Sequence, residues 1–161
     1  KVMETLAILL LILFAGTLYN IIPPYIKRKK TEISFVDSLT KTGLPIIPVK
    51  SGNTQLYMLV DSGSDWSHID KKVINEVKAK QLEGGNQIST LGGVVSAPFY
   101  QIELDVKGEK MQETCLALDF GDAFKSTEEE YGHEIHGILG ISFLEQHNYV
   151  LDFDKFIAYQ K

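Results

Sequence analysis

Leu59-Val60-Asp61-Ser62-Gly63-Ser64 is the stretch on which the reading of this chain turns. Leu59 and Val60 close an apolar run that begins at Gln55 and predicts a strand with a buried end. Asp61 therefore emerges into a poorly solvated place, where a lone carboxylate is costly. The cost falls if the carboxylate shares a proton with a second one. Gly63 permits a tight backbone turn, and the Ser62 hydroxyl can brace the loop by hydrogen bonding.

Working outward, Leu44 to Lys50 reads as an edge or irregular strand because of Pro45 and Pro48. Ser51-Gly52-Asn53 supplies a turn into the strand that ends at Val60, so the two form a hairpin. Downstream, Val73, Ile74 and Val77 have helical spacing within Asp70 to Lys80, which predicts a short helix. Gly84-Gly85-Asn86 breaks the chain, and Gln87 to Leu91 with Val94 to Ala97 flank a hairpin tip at Gly92-Gly93. Phe99 to Val106 alternates, with Ile102, Leu104 and Val106 on one face, turns at Lys107-Gly108-Glu109, and returns from Met111 to Leu118. Gly121 to Glu134 is polar and acidic and is expected as an exposed loop; Ile141 to His147 suits a short helix. Tyr149 to Phe153 and Phe156 to Tyr159 suit a final hairpin turning at Asp154-Lys155. So many short strands indicate a mostly β domain, closed or sandwich-like. No internal repeat supplies a second Asp-Ser-Gly lobe.

The stretch around Asp61 resembles the Asp-Thr/Ser-Gly-Ala/Ser active-site loop of aspartic proteases, and the order of elements resembles one retropepsin subunit. The hairpin from Ile46 to Val60 precedes the loop, and the glycine-tipped hairpin follows at a distance suited to a flap. His136-Gly137-Ile138-Leu139-Gly140 resembles the hydrophobic-hydrophobic-Gly element that packs behind the loop. Phe143-Leu144 and Leu151-Asp152-Phe153 resemble the short helix and closing strand. The resemblance covers about residues 44–160 and implies a closed β-barrel of the acid-protease fold with short helices. It implies Asp61 as the catalytic group of a homodimer, Ser62, Gly63 and Ser64 as the active-site loop, and Leu91, Gly92, Gly93 and Val94 as the flap. Asp65, His136 and Ile138 are the pocket residues it implies, with His136 and Ile138 facing the cleft and Leu139 the core; the alternative for His136 is that it caps the acidic loop.

The chemistry so implied is hydrolysis of a protein or peptide substrate by water activated between two Asp61 carboxylates, one ionised and one protonated. It needs no cofactor and no metal. Two departures stand out: Ile141 occupies the position where retroviral members often carry an arginine that pairs with the aspartate at Asp65, and Ser62 replaces the commoner threonine. A catalytically inactive module of the same fold, dimerising or binding an extended peptide, is the alternative expectation.

Other chemistries find less support. His133 and His136 lack the helical His-Glu-x-x-His pattern and a third ligand, no Gly-x-Ser-x-Gly elbow occurs, and no glycine pair ends in the Lys-Ser/Thr of a phosphate loop. The single cysteine, Cys115, excludes an intrachain disulfide and reads as a small buried hydrophobe. Trp66 reads as a packing residue and Glu128-Glu129-Glu130 as solvated surface.

Charge and hydropathy place the molecule. Residues 1–30 hold five basic side chains against Glu4, a charge of +4 that leaves −9 on the remainder of a chain whose total is −5. An acidic globular part argues against nucleic acid as a partner. Leu6 to Ile22 is almost wholly apolar; as a helix it reaches roughly 26 Å, and Val2 to Thr5 extend it toward the ~30 Å of a hydrocarbon core. Pro23 and Pro24 end it, and Lys27 to Lys30 favour a cytoplasmic side. The expected organisation is a single-pass transmembrane helix anchored in the lipid bilayer over residues 1–26, a basic juxtamembrane linker over 27–43, and a cytoplasmic protease domain over 44–161.

Overall fold

Ten strands and three short helices follow one another in residues 32–90 and 93–161, which the computed structural model describes. They are β1 (Ile33–Ser34), α1 (Val36–Thr42), β2 (Ile46–Ser51), β3 (Thr54–Val60), β4 (Ser67–Asp70), β5 (Ala79–Thr90), β6 (Gly93–Val106), β7 (Glu109–Leu118), α2 (Lys125–Tyr131), β8 (Gly137–Leu139), α3 (Ile141–Gln146), β9 (Tyr149–Asp152) and β10 (Ile157–Gln160). The expected anchor and the flap tip Leu91-Gly92 lie outside the described residues. Among those described, no helix is long and apolar enough to cross a membrane.

The strands follow the order β2-β3-β8-β4-β7-β6-β5, and a pairing of Lys50 with Asp105 joins β2 to β6. Six strands thus close a barrel, and β5 continues from β6 as the outer arm of a long hairpin. Alternation sets the two faces of β3. Leu56, Met58 and Val60 point into the main core with Ile47, Val49, Ile102, Leu104, Val106, Leu139 and Phe143. Tyr57 and Leu59 point the other way, into a smaller cluster with Ile46, Tyr131, Ile135 and Ile138. Each aliphatic side chain taken fully out of water in these clusters contributes about 1.5–3 kcal/mol. Cys115 sits on β7 within the main core, and burial pushes its thiol pKa well up.

Several elements differ from the sequence expectation. Asp70 to Lys80 is not a helix. Ser67–Asp70 is a strand buried at all four residues between β7 and β8. Its last residue caps only one 3₁₀ turn, Lys71–Val73, through Asp70 Oδ1, which accepts from the Lys72 N–H at 3.0 Å. The acidic stretch expected as a loop contains α2, whose Tyr131 packs in the smaller cluster. Residues expected as linker also belong to the folded part. Ile33 pairs with Ala158 of β10, Phe35 is buried, and the Ser38 hydroxyl bonds the Phe35 and Ile46 carbonyls. The final hairpin forms as β9 and β10, with Asp154-Lys155 in its turn.

Candidate active site

Two strands run parallel and deliver their ends to one point. β3 pairs with β8 in the register Met58 to Gly137, Leu59 to Ile138 and Val60 to Leu139. The ladder continues one residue further, where the Asp61 N–H donates to the Leu139 carbonyl at 3.0 Å. Asp61 is thereby held at the strand end, half-buried, on the face of Leu59 rather than of Val60. Its Oδ1 accepts from the Gly63 N–H at 2.8 Å, and its carbonyl accepts from the Ser64 N–H at 3.2 Å. A Cβ at Gly63 would stand 3.1 Å from that same carboxylate oxygen, close enough that one of the two would have to give by a few tenths of an ångström.

The loop is locked from behind by the start of α3. Ile141 N–H donates to the Ser64 carbonyl at 2.7 Å and Ser142 N–H to the Asp65 carbonyl at 3.3 Å. The Ser67 hydroxyl accepts from the Gly140 N–H at 3.1 Å, and the Ser142 hydroxyl accepts from the Ser67 N–H at 3.3 Å. The backbone approach is so close that a Cβ at Gly140 would lie 2.5 Å from the Trp66 oxygen. Behind this sits a fully buried Glu113. Its Oε1 accepts from the Ser142 hydroxyl at 3.3 Å, and its Oε2 lies 3.0 Å from His147 Nε2.

Asp61 opens onto a hollow of about 500 Å³ whose walls include Asp65, Trp66, His68, Asn86 and Gln87. Asn86 and Gln87 belong to β5, so the long hairpin overhangs the hollow, and Trp66 packs on Phe99 of β6 with ring centroids 5.2 Å apart. Gly93 and Val94 begin the return arm of that hairpin.

The site residues read from sequence fall in different places. Ser62 is exposed and makes no hydrogen bond with the described residues. Bracing comes instead from Ser64, whose hydroxyl donates to the Trp66 carbonyl at 2.9 Å. Asp65 lines the hollow, exposed and without an ion-pair partner among the described residues; Ile141 offers it none. Ile138 shares the face of Leu59 and Asp61 and packs in the smaller cluster, while Leu139 faces the core. His136 is not among the walls of the hollow. Its Nδ1 accepts from the Tyr57 N–H at 3.1 Å, its Nε2 is 3.9 Å from Glu134 Oε2, and burial lowers its pKa. Because β8 is parallel to β3, stepping back from Ile138 to His136 moves away from the strand end that carries Asp61.

The histidine beside Asp61 is His68, which the sequence reading passed over. It is 8% exposed on β4, paired with Leu116 of β7 and Ile138 of β8, and its Nδ1 is 3.3 Å from the Ser64 hydroxyl. Burial lowers its pKa, and the nearby Asp61 charge opposes that shift. The signal lay in its place seven residues after Asp61, on a strand crossing behind the loop, but a strand buried on both faces shows no alternation to reveal it.

No protein-family model matches the chain, and no curated protein does. Solved structures do. The protease of EIAV complexed with the inhibitor HBY-793 aligns over 68% of this chain and 93% of its own, with a TM-score of 0.51 and 22% sequence identity. The fold is retropepsin-like. The one Asp-Ser-Gly triplet of the sequence sits where β3, β8 and the start of α3 meet.

Proposed function

We propose that the chain is an aspartic endopeptidase that works as a homodimer and is held at the cytoplasmic face of a membrane by residues 1–26. The observation that carries the reading is Asp61 itself. It is positioned by the Leu139 carbonyl and the Gly63 N–H, half-buried, at the mouth of a hollow beneath the β5–β6 hairpin. Such placement gives a carboxylate that is fixed in direction yet open to water and substrate.

One barrel supplies one Asp61, so the working site needs the second copy. Two such carboxylates close together cannot both ionise cheaply, so the pair keeps one proton over a wide pH range, as in aspartic proteases generally. The ionised member takes a proton from water as it attacks the scissile carbonyl. The protonated member donates to the carbonyl oxygen, and proton return to the amine completes cleavage. An extended peptide lies in the cleft with its main chain bonded to the loop edges, and the β5–β6 hairpin closes over it and excludes bulk water. The apolar run Leu6 to Ile22 with the basic cluster after it supports the membrane attachment.

The test is cleavage of a denatured-protein pool by the full chain in detergent or lipid, with the new peptide ends mapped. Wild type should cut and Asp61→Asn should not, with an unchanged melting transition for the variant. Equal cleavage by a homogeneous Asp61→Asn preparation would refute the mechanism. A folded wild type that cuts nothing would favour the non-catalytic peptide-binding module.

A further inference from the structure

The hydrogen bonds around His68 favour one of its tautomers. The Ser64 hydroxyl has one proton, and it is directed at the Trp66 carbonyl at 2.9 Å. The 3.3 Å contact between Ser64 Oγ and His68 Nδ1 therefore has the imidazole as donor and the hydroxyl oxygen as acceptor. With the proton on Nδ1, Nε2 carries a lone pair. Nε2 makes no hydrogen bond to a described residue, and His68 lines the hollow together with Asp61. Burial favours this neutral form near pH 7.

The rest of the hollow has matching character. Asp65 adds an exposed carboxylate at its rim, Asn86 and Gln87 add amides from the overhanging hairpin, and no lysine or arginine among the described residues lines it. An acidic side chain entering here would meet two carboxylates and an acceptor nitrogen. An apolar one would strip Nε2 of water and return no hydrogen bond, which is costly. A side chain that donates a hydrogen bond satisfies the acceptor.

We propose that His68 determines specificity, its Nε2 accepting a hydrogen bond from a hydroxyl, amide or ammonium side chain of the peptide beside the cut. The proposal rests on the reading of this cleft as a peptide site, and it adds the side-chain class that the cleft selects. It gives His68 a binding role, distinct from the proton transfers assigned to Asp61.

The experiment uses matched peptides that differ at one position near the cut: Thr against Val, Asn against Leu, and Asn against Asp. Ratios of kcat/KM are measured for the full-length wild type, His68→Leu and His68→Gln, each checked by thermal melting. Wild type should favour Thr and Asn about tenfold or more, the scale of one hydrogen bond to a buried acceptor. His68→Leu should bring the Thr/Val and Asn/Leu ratios to about one. His68→Gln, whose Oε1 can stand where Nε2 stood, should recover part of the preference. It also decides the question if His68→Leu fails to fold. Unchanged ratios in a folded variant, or a wild type without donor preference, would overturn the proposal. The same peptides are also arrayed for binding to the Asp61→Asn chain with and without His68→Leu. A His68-dependent donor preference in binding, with no cleavage by wild type, would sink the protease reading and sustain this one. No preference in either format overturns this one alone when wild type cuts.

Discussion

Replacing Gly140 with alanine should unseat the loop that carries Asp61. The new Cβ would stand 2.5 Å from the Trp66 oxygen and 2.6 Å from the Ser64 oxygen, against the 3.4 Å at which contact becomes ordinary. Both obstacles are backbone atoms, so no side chain can swing aside, and the strands must part by about 0.9 Å. The bonds that span the same gap then stretch: Ile141 N–H to the Ser64 carbonyl from 2.7 Å, and Gly140 N–H to the Ser67 hydroxyl from 3.1 Å. At that displacement both would pass the range of useful geometry. One to two weakened bonds at about 1 kcal/mol each, added to an overpacking cost of about 1–3 kcal/mol, give a destabilisation of about 2–5 kcal/mol. The preceding residue, Leu139, holds the Asp61 N–H, so the shift reaches the carboxylate, and a misplacement near 1 Å costs on the order of 100-fold in rate. Urea unfolding and kcat/KM of the full chain measure the two effects. A Gly140→Ala protein with wild-type midpoint and rate would show that the loop does not depend on this close approach.

Leu139→Ala removes a fully buried side chain from the main core and should cost about 2–5 kcal/mol in urea unfolding; a loss below 1 kcal/mol would mean that the site collapses freely. Glu113→Ala should destabilise by about 3–5 kcal/mol, because it strands His147 and Ser142, whereas Glu113→Gln should cost clearly less; equal costs would deny the buried pair its role. Burial lowers the pKa values of His68 and His136, so the unfolded chain binds protons below about pH 6.5 while the folded one does not. Stability should therefore fall as pH drops below about 6.5, above the window in which the depressed carboxylates Glu134 and Asp152 titrate. A His68→Gln, His136→Gln protein with an undiminished slope between pH 7 and 5 would contradict this. Finally, on the proposed reading of a membrane-held homodimer, activity of the chain from residue 31 onward should rise faster than linearly with its concentration, since confinement would no longer raise the effective concentration of the second copy. Strict proportionality down to nanomolar protein would argue against the dimer.

The parts of the fold legible in the sequence were those with a single buried face or strong turn chemistry. The alternating stretch Ile102, Leu104, Val106 has one side in the core and one out, and the β2–β3 and closing hairpins carry marked turn residues at Ser51-Gly52-Asn53 and Asp154-Lys155. Asp61 was legible because a polar residue ending an apolar run is chemically conspicuous. β4 was not, because Ser67, His68 and Asp70 are polar yet buried, and their burial is offset by hydrogen bonds to residues remote in sequence, such as Gly140. β1 was hidden for a related reason: its partner strand is β10, more than a hundred residues away. The distance of His136 from the hollow was not legible, because alternation gives the face of a strand but not the distance along it, and in a parallel pair two residues back lead away from Asp61.

The thiol of Cys115 has a use that its burial creates. It is the chain's single cysteine, on a central strand, 1% exposed, and held protonated by its surroundings. Alkylating reagents attack the thiolate, so the closed barrel should leave this sulfur untouched, and each labelled molecule records one opening of the structure. Pulsed labelling thus counts unfolding excursions directly, in detergent, in lipid or in a cell, with no reporter added to the protein.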